Sequence, residues 1–411
     1  MTVEDLVFGD RIAELRHRRG LSQRQLAAAI GRSESWVSQV ERGVQPVQRL
    51  PVLRRLADAL GVPAGDLRPE AGAPTPPPPA TKELPARLDG LRAALAGHPA
   101  PDCVFPGGDQ APASDTAQLR ERVDQVWQLV HGGRFEAAAQ ELTALLPTLE
   151  SAVRSSAGRS RRAVSRLLAG AYQAAAAALA HVDDSEAAWV AADRSIRAGE
   201  DSGQPLEVIA GLYRTAQVFL RLGRLDLAER VAASAARTLA GRIEQPEAPP
   251  QELALYGALQ LARAVIAARA NERQEARRHV GTARQVAGRL GEDRNDFGLE
   301  FSPTSVEVDA VTVAVDLGDA GEALEAAAGL DVSSLSAERQ ARLHLDIARA
   351  HAQRHHVGEA LKALLTAEQL SPEQVHGHAP ARETILDLLG LSGRRPSEEL
   401  QDLARRCGVI P

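Results

Sequence analysis

The sequence predicts an all-α protein in two parts: a small N-terminal helical unit and a long C-terminal array of helical pairs. Three observations carry this. Aromatic residues make up only 3% of the 411 residues and alanine is abundant, a composition suited to closely packed helices and poor in what sheets need. Apolar residues recur at helical spacing through most of the chain. Beyond residue 117, similar turn signals return again and again. With 44% hydrophobic and 25% charged residues, the chain is globular and long enough for two or three domains.

Cys103 and Cys407 are too few for a disulfide framework or a multi-cysteine zinc site and fit a reducing compartment. The N-terminal MTVEDLVFGD lacks the basic and apolar regions of a secretion signal, and no run of about 18 apolar residues occurs. Among the 48 basic residues only Lys82 and Lys362 are lysine, the mark of a GC-rich genome. The expected location is the bacterial cytoplasm, on the nucleoid, with no membrane partner.

The net charge of −6 hides an uneven distribution. Residues 11–55 hold ten arginines against Glu14, Glu34 and Glu41, whereas the chain beyond residue 70 is acidic overall. A compact positive segment ahead of an acidic body suggests an anionic partner at the N-terminus, although a solvated arginine-rich surface would give the same count.

The order of residues decides between these. Phe8, Ile12 and Leu15 share one helical face, and Gly20 stops the helix. Ser22 can cap a second helix, SQRQLAAAIG, with Leu26 and Ile30 inward and Gly31 at its end. Ser33 caps a third, SESWVSQVERG, closed by Gly43. A fourth, RLPVLRRLADALG, buries Leu50, Leu53, Leu56 and Leu60. Short helices joined by glycine turns read as a helix-turn-helix. Over residues 8–68 the run LSQ-x-x-LA, then S-x-S-x-V-S-x-V-E-x-G, then LA-x-AL-G-V resembles the Xre (lambda-repressor-like) DNA-binding family. The resemblance implies a five-helix domain over residues 1–68.

It also implies roles by matched position. The helix beginning at Ser33 would enter the major groove N-terminus first, where free N–H groups favour a phosphate. Glu34, Ser35 and Gln39 would face the bases, with Arg32 and Ser38 nearby. Gln39 can pair with adenine N6/N7, and Glu34 can accept from cytosine N4. Gln23 matches a backbone-contacting position beside Arg24, and Arg42 and Arg49 are phosphate clamps. Trp36 would pack on a sugar or cover the core. Arg16 and Glu41 match an ion pair that joins the first helix to the end of the third.

Residues 69–116 form a linker with 11 of the chain's 24 prolines between 69 and 112, including Pro76 to Pro79, a semi-rigid polyproline II spacer. Within it, a helix over about 82–97 sets Leu84, Leu88, Leu91 and Leu95 on one face, which must dock on the C-terminal body or on a second subunit.

From 117 to 411 one unit repeats: a helix, a turn, then a second helix opening with a small residue. The signals GRFEAA, DDSEAA, GRLDLA, NERQEA, GDAGEA and HVGEA align Ala138, Ala188, Ala228, Ala276, Ala323 and Ala360, spaced 37 to 50 residues apart. The array resembles tetratricopeptide (TPR) repeats, whose period is about 34, with lengthened loops. On that family's register the concave face lies 18, 15, 11 and 8 residues before the small residue. The count gives Arg120, Trp127, Tyr213, Gln217, Ser305, Thr312, Arg342 and Arg349. A local register on LAGAY, set for the stretched second repeat, gives Arg166 and Gln173. Such a face could bind an extended peptide.

Six of the eleven histidines lie between His344 and His378, but no carboxylate or cysteine completes a metal set, so solvated helix and turn histidines are expected. No GxSxG, Walker loop, GxGxxG or HExxH is present. Neither enzyme activity, cofactor nor metal is expected. The two-part order resembles RRNPP-type receptors, whose repeat groove binds a peptide pheromone. The expectation is a homodimeric transcription regulator that binds a double-stranded operator and responds to a peptide or small-molecule effector. The alternative is a DNA-tethered adaptor whose groove recruits a protein.

Overall fold

The computed structural model describes residues 3–30, 34–43, 47, 50–62, 67, 88–96, 115–291, 293–393 and 396–410. The chain separates into two compact units, residues 1–83 and 84–411. Both are helical, and the isolated bridge between Arg294 and Phe301 is the β pairing present among the described residues.

The first unit contains α1 (Val3–Arg18), α2 (Gln23–Ile30), α3 (Glu34–Glu41) and α4 (Leu50–Leu60). Its core is the apolar stripe of each helix: Phe8, Ile12 and Leu15 meet Leu26, Ile30, Val37, Val40, Leu56 and Leu60. Ser22 and Gln25 cap α2 reciprocally, Ser22 Oγ accepting from Gln25 N and Gln25 Oε1 accepting from Ser22 N, which satisfies two otherwise orphaned amides. Gly9 lies so close to the last carbonyls of α3 that a Cβ there would collide with Val40 and Glu41 backbone oxygens. Leu67 is helical and buried in the same core; the rest of the fifth helix expected from the resemblance lies outside the described residues.

The second unit opens with α5 (Asp89–Ala96), then pairs α6 (Thr116–His131) with α7 (Phe135–Ser155), α8 (Gly158–His181) with α9 (Ser185–Ser202), α10 (Pro205–Arg221) with α11 (Leu225–Ile243), α12 (Pro250–Arg269) with α13 (Arg273–Leu290), α14 (Pro303–Leu317) with α15 (Ala320–Ala328), and α16 (Ala337–Gln353) with α17 (Val357–Leu370). Three shorter helices follow: α18 (Pro372–Gly377), α19 (Ala379–Ser392) and α20 (Glu398–Arg406). This is a TPR-like solenoid. The six aligned alanines are all fully buried, because backbone meets backbone there and no larger side chain fits at that density. Five residues before each of them the chain takes a left-handed turn, at Gly133, Asp183, Gly223, Asn271, Gly318 and His355. Glycine adopts that conformation without strain, and Asp, Asn and His are the side chains that tolerate it best.

The extra length of the repeats is not mainly in loops. The longest spacing, from Ala138 to Ala188, is taken up by α7 and α8, of 21 and 24 residues, joined by Ser156 and Ala157 alone. The alanine run Ala174–Ala178 lets α8 be buried nearly all round. The connection between α13 and α14, residues 291–302, is the long one, and it folds inward.

The linker helix α5 docks on the solenoid. Leu88, Leu91 and Leu95 join the core of the first two pairs, and Arg92 Nε donates to Asp184 at 2.6 Å. Asp184 also caps α9 through Ala187 N. The first helix of each pair packs on the first helix of the next, and α16 returns to touch α6. Closure is polar as well: Ser371 Oγ donates to the Gly133 carbonyl (3.2 Å) and Glu136 N to Glu373 Oε2 (2.7 Å). The array therefore forms a closed ring with its first helices inside.

Candidate nucleic-acid interface and ring cavity

In the first unit, Val37, Val40 and Glu41 turn α3 inward. Ser38 and Gln39 are half-buried on its other side and Arg42 is exposed. Arg42 Nε donates to the Ser38 carbonyl, which fixes the guanidinium along the last turn. Arg24 is exposed on α2. Arg32, Ser33 and Arg49 lie outside the described residues, as do the side chains of Glu34, Ser35 and Trp36.

Beneath this face Arg16 and Glu41 form a two-pronged pair, with Nε–Oε1 at 2.5 Å and Nη2–Oε2 at 2.9 Å. Burial opposes ionisation of Glu41, but hydrogen bonds from Arg16 and Gln23 outweigh it and hold its pKa below the ordinary carboxylate value. Arg16 Nη1 also donates to the Leu21 carbonyl, tying the turn between α1 and α2 to the end of α3. Gln23, matched to a DNA-backbone position, instead places its amide Nε2 on Glu41 at 2.7 Å. Its helix start lies beside the carboxylate, and a buried acceptor takes the nearest donor.

The second candidate is a cavity of about 200 Å³ inside the ring. The residue eleven positions before each aligned alanine lines it in all six repeats: Trp127, Ala177, Gln217, Val265, Thr312 and Arg349. Tyr213 and Arg342 line it too, so six of the ten residues expected on the concave face are brought together there. Four are not. Arg120 is exposed on α6. Arg166 and Gln173 are turned to the α8–α10 seam, where both hold Glu207. Ser305 is fully buried in a capping box with Ser302 at the start of α14. For the second repeat, counting straight back from Ala188 also gives Gln173 at fifteen, but it adds Ala177 and Ala180 at eleven and eight, which do line the cavity, so the local register misplaced Arg166 and stopped a turn short. The period is stretched upstream of that face, not within it.

Sequence reasoning also missed a polar stripe seven residues before the alanines. There His131, His181, Arg221 and Arg269 line the cavity, one helical turn beyond the eleven-residue position. Arg214, Glu338, Arg339, Asp346 and His378 complete its polar wall. His378, expected to be solvated, is part of that wall, beside Ala379, Pro380 and Ala381 at the start of α19. Burial and the nearby arginines push the pKa values of His181 and His378 well below the imidazole range. Burial lowers His131 too, against the opposing charge of Glu300. Among the described residues no cluster of three metal-ligating side chains occurs.

Most of the arginines are tied down. Arg349 pairs with Asp316 and Asp346, Arg269 with Asp316, and Arg342 with Asp309. Thr312 Oγ1 donates to Asp346 at 2.7 Å. Residues 296–300 of the inward loop occupy one side of the space. Arg214 Nη2 donates to the Phe297 and Gly298 carbonyls at 3.2 and 3.0 Å, and Arg339 Nη2 to the Leu299 carbonyl at 2.7 Å. Arg214 also lies over the rings of Trp127 and Tyr213. Gly298, at φ +63°, rests on Trp127 so closely that a Cβ would overlap the indole. Phe301 anchors the loop in the core against Gly257.

No helix among the described residues is long and apolar enough to cross a membrane. No curated protein sequence matches the chain. A crystal structure of Bacillus thuringiensis PlcR, in complex with the peptide PapR7 and DNA, is similar at 13% identity and a TM-score of 0.33, covering 92% of this chain and 98% of that one. Residues 7–71 match the helix-turn-helix domain family, and the N-terminal unit is a helix-turn-helix domain.

Proposed function

We propose that this protein is a sequence-specific transcriptional regulator whose ring senses a signal and alters operator binding. The observation that carries this is the joining of a helix-turn-helix domain to a ring in which every repeat turns a residue into one polar cavity. In this reading Ser38 and Gln39, with Arg32, Ser33, Glu34, Ser35 and Trp36, meet base edges and sugars, and Arg24, Arg42 and Arg49 meet phosphates. The Arg16–Glu41–Gln23 network holds α3 at the angle this needs. One such head makes few base contacts, so the protein acts as a homodimer on two half-sites. A signal changes DNA binding only if it binds one arrangement of the ring better than another.

Footprinting the full chain on the DNA upstream of its own gene tests this reading. A two-fold-symmetric protected site is expected, weakening with salt as phosphate contacts are screened. Gln39→Ala should cost about 1–3 kcal/mol of discrimination at one base position. Weak, sequence-blind binding would contradict the regulator, and a monomer on DNA by light scattering would contradict the dimer.

A further inference from the structure

The ring cavity contains one arginine that no carboxylate or carbonyl of the described residues contacts directly. Arg221, at the end of α10, lines the cavity and makes no hydrogen bond or ion pair with any described residue. Burial first, then the charges of Arg342 and Arg269, bring its pKa down to about 10 against the opposing pull of Glu338 and Asp183, so it remains charged at neutral pH. The other five cavity arginines are held by carboxylates or by carbonyls of the inward loop. A guanidinium in such a cavity with no acceptor in hydrogen-bonding contact is costly to keep unless something else supplies one.

Acceptors and ring nitrogens at the same end are also unfilled. Gln374 is 2% exposed; its Nε2 donates to Glu338, but its Oε1 has no partner. Nδ1 of His181 and Nδ1 of His378 have none either. Buried polar atoms are nearly always satisfied, and several orphans around one cavity mark a place where a ligand completes the set. The space left beside the loop, about 200 Å³, suits a molecule of roughly ten to fifteen non-hydrogen atoms. An extended peptide on the concave face would run into residues 296–300, which already take the backbone-binding arginines.

From this geometry we infer that the ring binds a small oxyanion, a carboxylate or phosphate seated on Arg221, whose body also bears a hydroxyl or N–H group that donates to Gln374 Oε1. The inference rests on the cavity as the sensor and names the class of what it senses.

The test is thermal unfolding of the full-length protein in inorganic phosphate, in glycolate, and in sodium chloride at matched ionic strength. The ring transition should rise in the oxyanions by about 2–4 °C over chloride near thirty times the dissociation constant. The better of the two anions identifies a phosphate or a carboxylate ligand. Arg221→Gln should leave the melting point in chloride unchanged or higher and abolish the increment, while Arg237→Gln, on the exposed side of α11, should keep it. Equal melting points in all three salts, or an increment that survives in Arg221→Gln, would overturn the inference. Because the readout is the ring's own melting, failure here leaves operator binding, and the regulator reading, standing.

Discussion

In the helix-turn-helix unit, Glu41 takes donors from Arg16 and Gln23, and the polar set closes on itself. In the ring, six arginines surround the cavity and Arg221 is left over. Both arrangements bury charge, but they do different things. A closed pair fixes the angle of one helix against another and asks for no ligand. An open cation within a closed wall gives up stability in the empty state and recovers it when an anion arrives. Stability in the first unit thus serves geometry, and in the second it is exchanged for binding.

The largest expected effect lies where the ring is held by bulk and not by charge. Phe301 is 1% exposed and carries the inward loop into the core. Phe301→Ala should cost about 3–5 kcal/mol of ring stability, read as loss of the ring transition in calorimetry with the other transition in place. A loss below 1 kcal/mol would mean that the loop is not anchored there.

Breaking the closed pair comes next. Glu41→Ala strands Arg16 in a side-chain environment only 8% exposed and should cost the first unit about 3 kcal/mol. Arg16→Met with Glu41→Leu should recover much of it, and the double-mutant cycle by urea unfolding measures the coupling. If Glu41→Ala leaves the unit's stability unchanged, the pair is ornamental.

Acid should separate the two units. His181, His378 and His279 are held below their ordinary pKa of 6.5, His279 at about 4, by burial first and neighbouring arginines second. The unfolded chain then binds more protons than the native ring, so ring stability falls as pH drops below 6.5. Glu41 is held below its ordinary 4.5, so its contribution is present above that value and is lost only on further acidification. Melting curves between pH 7 and 5 should therefore show the ring transition dropping while that of the first unit stays. Parallel shifts of both would break the comparison.

The two units were also unequally legible in the sequence. In the first, caps, glycines and core positions fall within a few residues of one another, so Ser22, Phe8, Ile12, Leu26 and Ile30 could be placed by local spacing alone. In the second, the small residue and its turn were legible for the same reason: each signal spans five or six residues. What spacing could not give was how far the helices extend between signals. The local register on LAGAY therefore chose Arg166 and stopped at Gln173, a turn short of Ala177 and Ala180, which line the cavity. Nor does any short pattern show that α16 meets α6. Ring closure is what turns the stripe of His131, His181, Arg221 and Arg269 into a wall, and what moves His378 from solvent to the interior.

The most direct test of the account is whether the cavity and the DNA-binding head are coupled. Operator affinity of the full chain should be measured by fluorescence anisotropy in chloride and in the stabilising oxyanion at equal ionic strength. The account predicts a change of at least about fivefold in the dissociation constant, absent in Arg221→Gln. An unchanged affinity, while the same anion still raises the melting point of the ring, would contradict the claim that the ring speaks to the operator.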